Sequence, residues 1–419
     1  DRNDFAPRLG FAYSPMKKMA IRGGFGVSYI HYDRAGAGNL LPINGPQVVN
    51  AVVNQLNPRA ANFRTTGQGY PDGITAPSNF NPLTANITYV PKDYQSGYVE
   101  SWFFSLQHEI AKDTLIDIAY VGNHALKLLL FANFNQAHPF TTGTLAQNRP
   151  IPTFGDITYA FNGGASNYHS LQARFEHRYG AGLLLLNSFS YSHAIDNGSG
   201  SLENPNGNFP APQDFYNLAA ERATSAYDQT FNNTTSVVYQ LPFGRQRRFL
   251  NALPASADQV LGGWEISAIN QADSGQPITI VYSPAAILAV SGIQQDFRGA
   301  NNYRPNLIGN PILSNGGPQN GLPYLNAAAF AVPGGTPFGN AGRNIARGLA
   351  FNQLDFAANK SFHLPGESTQ LQFRAEFFNL FNHTNFLAPN SNLSSGSAFG
   401  KITGSLDARQ IQFGLKLTY

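Results

Sequence analysis

A His-Glu dipeptide, nine scattered histidines and two rows of alternating Arg and Glu are the places where this sequence could do chemistry. His108-Glu109 opens like the zinc-binding helix of a metalloprotease, which needs a second histidine four residues on so that both imidazoles share one helical face. That position is Lys112, so the second ligand is missing. No other pair of histidines stands at a ligand spacing. Gly23-Gly24-Phe25-Gly26 is glycine-rich enough to cradle a phosphate, but no helix signal follows it. Small residues on one side of a strand account for it better. No Gly-x-Ser-x-Gly elbow is present, and no convergent Ser, His and acid set stands out on neighbouring segments. The expectation is a chain with no catalytic residues, no metal site and no cofactor.

The charged rows are more informative. Gln172, Arg174, Glu176 and Arg178, and separately Arg374 and Glu376, recur at every second position and so share one face of an extended strand. In a soluble core such a row is out of place, because Arg and Glu are almost never fully buried unless paired. On the wall of a wet lumen it is ordinary. These five charged residues are the lumen-facing candidates, either contacting substrate or a plug, or forming cross-strand ion pairs, and the ion-pair reading is preferred. A second set is aromatic: Tyr70, Phe80, Tyr159, Phe161, Phe209 and Tyr216 stand among polar and small residues in long loops. They can stack on a glycan, grip a peptide, or pack together to hold the loops. Arg245, Arg247 and Arg248 read as a solvated turn.

The elements that must position these residues are pairs of alternating segments. Residues 7–15 and 19–30 form the first pair, 98–110 and 114–122 the second, 170–178 and 183–193 the third. Residues 233–241 and 263 to about 280 form the fourth, 352–362 and 369–381 the fifth, and 409–419 stands last. Within a pair the link is short; between pairs a long polar loop runs, among the longest that from about 283 to 350. Ile21, Phe25, Val27 and Tyr29 share one face of the second segment, as do Trp102, Phe104 and Leu106, then Ile116, Ile118 and Tyr120 further on. Opposite faces carry Arg22, Ser105, Gln107 and Asp117.

Composition narrows the setting. Only 12% of the 419 residues are charged, aromatics make up 13%, and no apolar run reaches the roughly 20 residues of a membrane-spanning helix. A membrane reading therefore has to be a β reading, since only helices and closed barrels satisfy backbone groups in lipid. A net charge of +3 argues against nucleic acid as a partner. The absence of cysteine fits an envelope protein without disulfides. Short turns alternating with long loops are the topology of an outer-membrane barrel. The expected fold is all-β: an antiparallel up-and-down transmembrane β-barrel with short periplasmic turns and long extracellular loops. About eleven strands is an odd number, whereas bacterial single-chain barrels have an even one. Residues 1–419 are therefore expected to be the C-terminal part of a larger barrel domain. Asp1 is no initiator and no secretory signal precedes the first strand, which is consistent with part of a longer polypeptide.

Several motifs resemble Oar-like TonB-dependent outer-membrane transporters, the subgroup with a carboxypeptidase-regulatory-like N-terminal domain. Those motifs are Pro7-Arg8-Leu9-Gly10-Phe11-Ala12-Tyr13, Arg22-Gly23-Gly24-Phe25-Gly26, Ala119-Tyr120-Val121-Gly122-Asn123, Asn167-Tyr168-His169-Ser170-Leu171-Gln172, Leu241-Pro242-Phe243-Gly244 and Gly262-Gly263-Trp264. The most specific are Phe338-Gly339-Asn340-Ala341-Gly342-Arg343-Asn344 and the run from Arg374-Ala375-Glu376 to Asn382-His383. Gln412, Gly414, Leu417 and the terminal Tyr419 are similar to the signal read by the barrel-assembly machinery. The resemblance implies ligand capture by the outer loops and import energised through the TonB complex, with outer-membrane lipid and lipopolysaccharide around the barrel. It also implies a plug and N-terminal domains, which are not in this sequence. A passive porin and a barrel-anchored adhesion protein remain the alternatives, and the transported ligand stays unidentified.

Overall fold

The structure is a computed structural model. It describes all residues except 1–3, 31–43, 46–54, 56, 60, 62, 75, 86, 139–141, 180–181, 200–210, 246, 284–302, 335, 364–369 and 419. Eleven strands form the main path of one continuous sheet: β1 (Arg8–Tyr13), β2 (Met19–Ile30), β3 (Gly97–Ala111), β4 (Thr114–Asn133), β5 (Ile157–Tyr179), β6 (Leu183–Asp196), β7 (Phe231–Gln240), β8 (Trp264–Asp273), β9 (Phe351–His363), β10 (Gln370–Phe378) and β11 (Gln410–Thr418); two short strands, Ile87–Tyr89 and Ala223–Thr224, join it beside β5 and β6. Each of the eleven pairs antiparallel with the next in chain order, the up-and-down arrangement of a barrel wall. The path is open, with β1 at one end and β11 at the other.

The register places apolar side chains on one face across many strands. Phe11 lies opposite Gly23, Gly23 opposite Phe104, Phe104 opposite Tyr120, Tyr120 opposite Leu171, and Leu171 opposite Tyr191. On β11, Phe413 and Leu415 are 67% and 72% exposed. An apolar face this extensive is untenable in water and ordinary in lipid. Gly122 lies beneath the Trp102 indole, where a Cβ would come within 2.6 Å of the ring. Turns on the short side are tight: Lys18 and Asp113 take φ of 68° and 59°, conformations that let a link of a few residues reverse a twisted strand pair.

Three expectations need correction. β4 and β5 do not stop near residues 122 and 170; they have 20 and 23 residues, about twice what crosses a bilayer. Register shifts between Ala125 and Leu128 and between Leu128 and Leu130 break the period-two pattern, which hid the upper halves. The eighth strand ends at Asp273, not near 280; Pro277–Ile278 pairs with Ala346–Arg347 in a separate small sheet. The basic link before β8 is not a simple turn, because Ala255–Leu261 is helical and Asp258 accepts a hydrogen bond from the Arg245 backbone N–H at 2.7 Å.

Above the wall the long loops fold on themselves. Ile278, Ile280, Leu325, Phe330 and Phe399 make a buried core that joins the 277–349 and 385–405 stretches. The extended tip of β4 and β5 is covered on both faces, by Val90 and Tyr94 on one and by Phe215 and Leu218 on the other. Among the described residues no helix is long and apolar enough to cross a membrane.

Candidate ligand-contact site

Alternation on β5 sends Arg174, Glu176 and Arg178 to the face opposite Leu171 and Phe175, so the sheet holds them on its inner wall. Glu176 joins them: Arg174 Nη2 donates to Glu176 Oε2 and Arg178 Nε to Glu176 Oε1, both at 2.6 Å. The pairing runs along one strand rather than across strands as expected, because each long side chain reaches its neighbour two residues away on the same face. Arg374 and Glu376 repeat this more loosely at 3.6 Å, with Arg374 Nε also donating across to Asn359 Oδ1 at 3.3 Å. Half-exposed pairs of this kind contribute little to stability. Their donors remain available to a polar group in the lumen.

Beside Arg174 lies a hollow of about 310 Å³ lined by Ser105, Asp117, Gln172, Ser188 and Asn232 among others. Asp117 stands opposite Arg174 in the register, yet Arg174 turns to Glu176, and the buried Asp117 Oδ1 accepts no hydrogen bond from the described residues. The inner wall thus offers hydroxyls, amides and a cation within one concavity, a chemistry suited to hydrated polar groups.

At the outer rim the structure brings three of the six aromatic candidates together. Tyr159 and Phe161 belong to the upper half of β5, not to a loop, and their rings stack at 4.7 Å. Tyr89 stacks on Tyr159 at 5.3 Å, while Phe134 and Phe215 close the group edge-on. Phe161 is only 9% exposed, so it holds the rim together. Tyr216 is the accessible end of the cluster: it is 42% exposed, stacks on His138 at 3.8 Å, and donates its hydroxyl to the Gln136 carbonyl at 2.6 Å. Burial pushes the Tyr216 phenol upward, with Asp214 adding to the effect. Tyr70 is exposed and Phe80 partly buried, both apart from this group, and Phe209 lies outside the described residues.

Beneath the aromatics is a set of ion pairs that sequence reasoning missed. Arg304 holds Glu221 with two hydrogen bonds, at 2.8 and 2.9 Å, and the two side chains are 2% and 3% exposed. Arg343 reaches Asp196 at the top of β6 and lies 3.5 Å from Glu221, and Arg347 pairs with Asp228. These contacts tie the stretches around 213–228 and 303–347 to the strand ends. Nothing in the spacing of three arginines and three acids scattered over 150 residues signals that they meet; only Arg343 lay in a motif already noticed.

The remaining sequence candidates are separated. His108 and Glu109 point to opposite faces of β3, and Glu109 pairs with Lys18 at 2.6 Å. Among the described residues no three His, Asp or Glu side chains are grouped to hold a metal. On β11, Gln412 lies opposite Glu376, Gly414 opposite Arg374 and Leu417 opposite Leu371, while Tyr419 lies outside the described residues.

A family model described as outer membrane beta barrel domain matches residues 1–412. No match is found among curated protein sequences. Among solved structures, the chain is similar to the outer membrane transporter YddB from Escherichia coli, with a TM-score of 0.47 and 11% identity over 96% of this chain and 39% of that one. It is similar to the FrpB iron transporter from Neisseria meningitidis, at 0.43 and 11% over 98% and 38%, and to the siderophore receptor PiuA from Acinetobacter baumannii, at 0.44 and 8% over 99% and 36%. The chain spans less than two fifths of the length of each of these three structures. The family assignment rests on the sequence match, which agrees with the up-and-down wall, its apolar outer face and its polar inner face. The chain belongs to the outer membrane beta barrel domain family, and the outer membrane is where it resides.

Proposed function

We propose that this chain is the C-terminal barrel portion of a TonB-dependent transporter of the Oar-like subgroup. Its outer loops capture a ligand, and the rest of the polypeptide supplies the plug and the segment that meets the TonB complex. The observation that carries the reading is the pairing of a polar, partly unsatisfied inner wall with a rim of folded loops. A polar wall with open Arg174 and Arg374 donors is suited to a hydrated plug. The folded rim presents Tyr216 and His138 to the outside. Nothing in this arrangement makes or breaks a bond, and the ligand is a glycan, a peptide or a metal chelate. On this reading Gln412, Gly414, Leu417 and Tyr419 form the signal for the barrel-assembly machinery, and lipid and lipopolysaccharide surround the wall.

The test begins with the coding sequence upstream of Asp1, where a plug domain and a TonB-contact segment are expected. Uptake by cells carrying the whole protein is then measured with and without TonB. Surface binding that persists while import stops supports the proposal. A short start with a signal peptide and one further strand, or import indifferent to TonB, establishes a passive channel instead.

A further inference from the structure

The links on the short-turn side of the wall are unequal. Residues 14–18, 112–113, 180–182 and 364–369 are brief connections, whereas 241–263 carries a basic, aromatic stretch and then the helix Ala255–Leu261 before β8 begins. This longer link is folded. The Phe243 and Phe249 rings lie 5.9 Å apart, the Phe249 N–H donates to the Pro242 carbonyl at 2.9 Å, and the Gly244 N–H donates to the Phe249 carbonyl at 3.1 Å. Asp258 on the helix accepts from the Arg245 N–H at 2.7 Å, which closes the two halves of the link on each other.

Two side chains of the wall fix the side to which the link folds. Trp264 lies opposite Lys360, and Lys360 lies opposite Phe373, whose ring stacks on the outward Phe413, so Trp264 and Lys360 both belong to the membrane face. Trp264 Nε1 donates to the Val260 carbonyl at 2.9 Å, and Lys360 Nζ donates to the Gly262 carbonyl. A helix leaves its last carbonyls unpaired, and N–H donors and cations are their natural partners. Here those partners clasp the helix end from the lipid side of the wall, not from beneath the lumen. Lys360 is 2% exposed in this position and lies 4.8 Å from the Phe362 ring of the same face.

The surface that the link exposes is both apolar and basic. Val260 and Leu261 are 64% and 47% exposed, and Phe243, Phe249 and Leu250 are exposed as well. Arg245, Arg247 and Arg248 stand among them, exposed, and the acid of the stretch, Asp258, is taken up by a backbone N–H. Aromatic and aliphatic residues interleaved with arginines are the composition of segments that lie in the plane of a bilayer interface. We infer that the 241–263 link is an interfacial anchor: its exposed apolar side chains enter the lipid leaflet, and Arg245, Arg247 and Arg248 bind the phosphates of anionic phospholipid headgroups. Charge complementarity names the headgroup, because guanidinium groups pair with phosphate oxygens while their stems rest on apolar surface. Continuity names the leaflet, because the apolar residues carry on from Trp264, Ile266 and Phe362 of the membrane face. The short-turn side of an outer-membrane barrel faces the periplasm, so the leaflet is the phospholipid one. The inference depends only on residence in the outer membrane and stands apart from what the protein imports.

The chain has no cysteine, so a spin label can be placed in it at one chosen position. The full-length protein is labelled at Val260→Cys, or for comparison at Lys17→Cys on the 14–18 turn, and set in nanodiscs of phosphatidylethanolamine with a minor share of phosphatidylglycerol. Heat-modifiable mobility reports that each variant is folded. Oxygen, which concentrates in lipid, is expected to relax the Val260 label more than a water-soluble nickel chelate does, with the reverse at Lys17. Phosphatidylglycerol retained by the protein, measured by native mass spectrometry, should fall several-fold in the triple variant Arg245→Gln, Arg247→Gln, Arg248→Gln while total bound phospholipid is kept. A Val260 label that prefers the nickel chelate, or full retention of phosphatidylglycerol by the folded triple variant, overturns the inference. So does a Val260 label shielded from both reagents in native outer membranes but open in nanodiscs, which would assign the surface to a protein partner. If the triple variant does not fold, the depth of the Val260 label decides.

Discussion

The spanning wall and the outer rim of this chain are built on opposite plans. The wall has one face to lipid and one to the lumen and almost no buried core: its strands are held by ladder hydrogen bonds, most of its outward side chains are apolar, and the charged rows of β5 and β10 face inward. The rim has an interior of its own, with Phe131, Ile280 and Leu325 buried and Arg304 locked against Glu221. The wall therefore depends on lipid for its apolar contacts, whereas the rim depends on itself. That difference explains how loops of such length can be ordered enough to serve as a capture surface: their polar backbone is covered by their own side chains rather than left to solvent.

The sharpest way to break the contrast is to attack each region through its own chemistry. Arg304→Ala strips Glu221 of a two-pronged partner in a closed site, and breaking a buried pair costs about 3–5 kcal/mol. The expected outcome is a rim that protease cleaves in the 277–349 stretch while the heat-modifiable mobility of the wall is kept. If wall and rim are lost together, the two regions are one cooperative unit and the contrast fails. Phe413→Arg works from the other side. It places a charge on the membrane face of β11, where Phe413 stacks on Phe373 at 6.2 Å, and costs about 2–4 kcal/mol near the bilayer midplane. Impaired assembly is expected for it and for Phe373→Arg, and unchanged folding of both would reverse the assigned faces.

Legibility in the sequence followed the same divide. The wall could be read because lipid and lumen impose period two on every residue between Met19 and Tyr29 or between Gln370 and Phe378, and short links fix the order of neighbours. The upper halves of β4 and β5 could not, because the bulges near Lys127, itself at φ of 55°, swap the faces partway up the strand. Alternation groups Arg174, Glu176 and Arg178 on one face of β5 but says nothing about which arginine Glu176 chooses, and it pairs with both along its own strand. The rim was least legible. Tyr159, Phe161 and Tyr216 were noticed as aromatics, yet their grouping with Tyr89, Phe134 and Phe215 depends on contacts between segments far apart in the sequence, around residues 89, 134, 160 and 215.

Smaller changes sharpen the comparison within the rim, by separating what holds it from what it displays. Tyr216→Ala removes one hydroxyl bond and one ring stack at the exposed end of the aromatic cluster, worth about 1 kcal/mol of stability. Little change in protease resistance is expected, together with a clear loss of ligand capture on intact cells once a ligand is in hand. Full capture by a folded Tyr216→Ala variant would move the contact surface elsewhere, with exposed Tyr70 the next position to test.

The smallest effect is confined to alkaline pH. Tyr282 is buried in the rim, its hydroxyl donates to the Pro337 carbonyl at 2.7 Å, and burial pushes its phenol from 10.0 up to about 12. For an acid whose folded pKa lies above its unfolded value, the folded state holds more protons between the two, so stability falls as pH rises through that interval. Below pH 10.0 the phenol is protonated in both states and contributes no slope. Rim stability, followed by protease resistance of the 277–349 stretch, should therefore be level up to about pH 10 and decline towards about 12. Tyr282→Phe should start lower by about 1 kcal/mol through the lost hydrogen bond and show a shallower decline. The wall lacks this buried phenol, so its mobility shift should not follow the same curve, and a parallel decline in both would show that lipid-bound strands and folded loops titrate as one body.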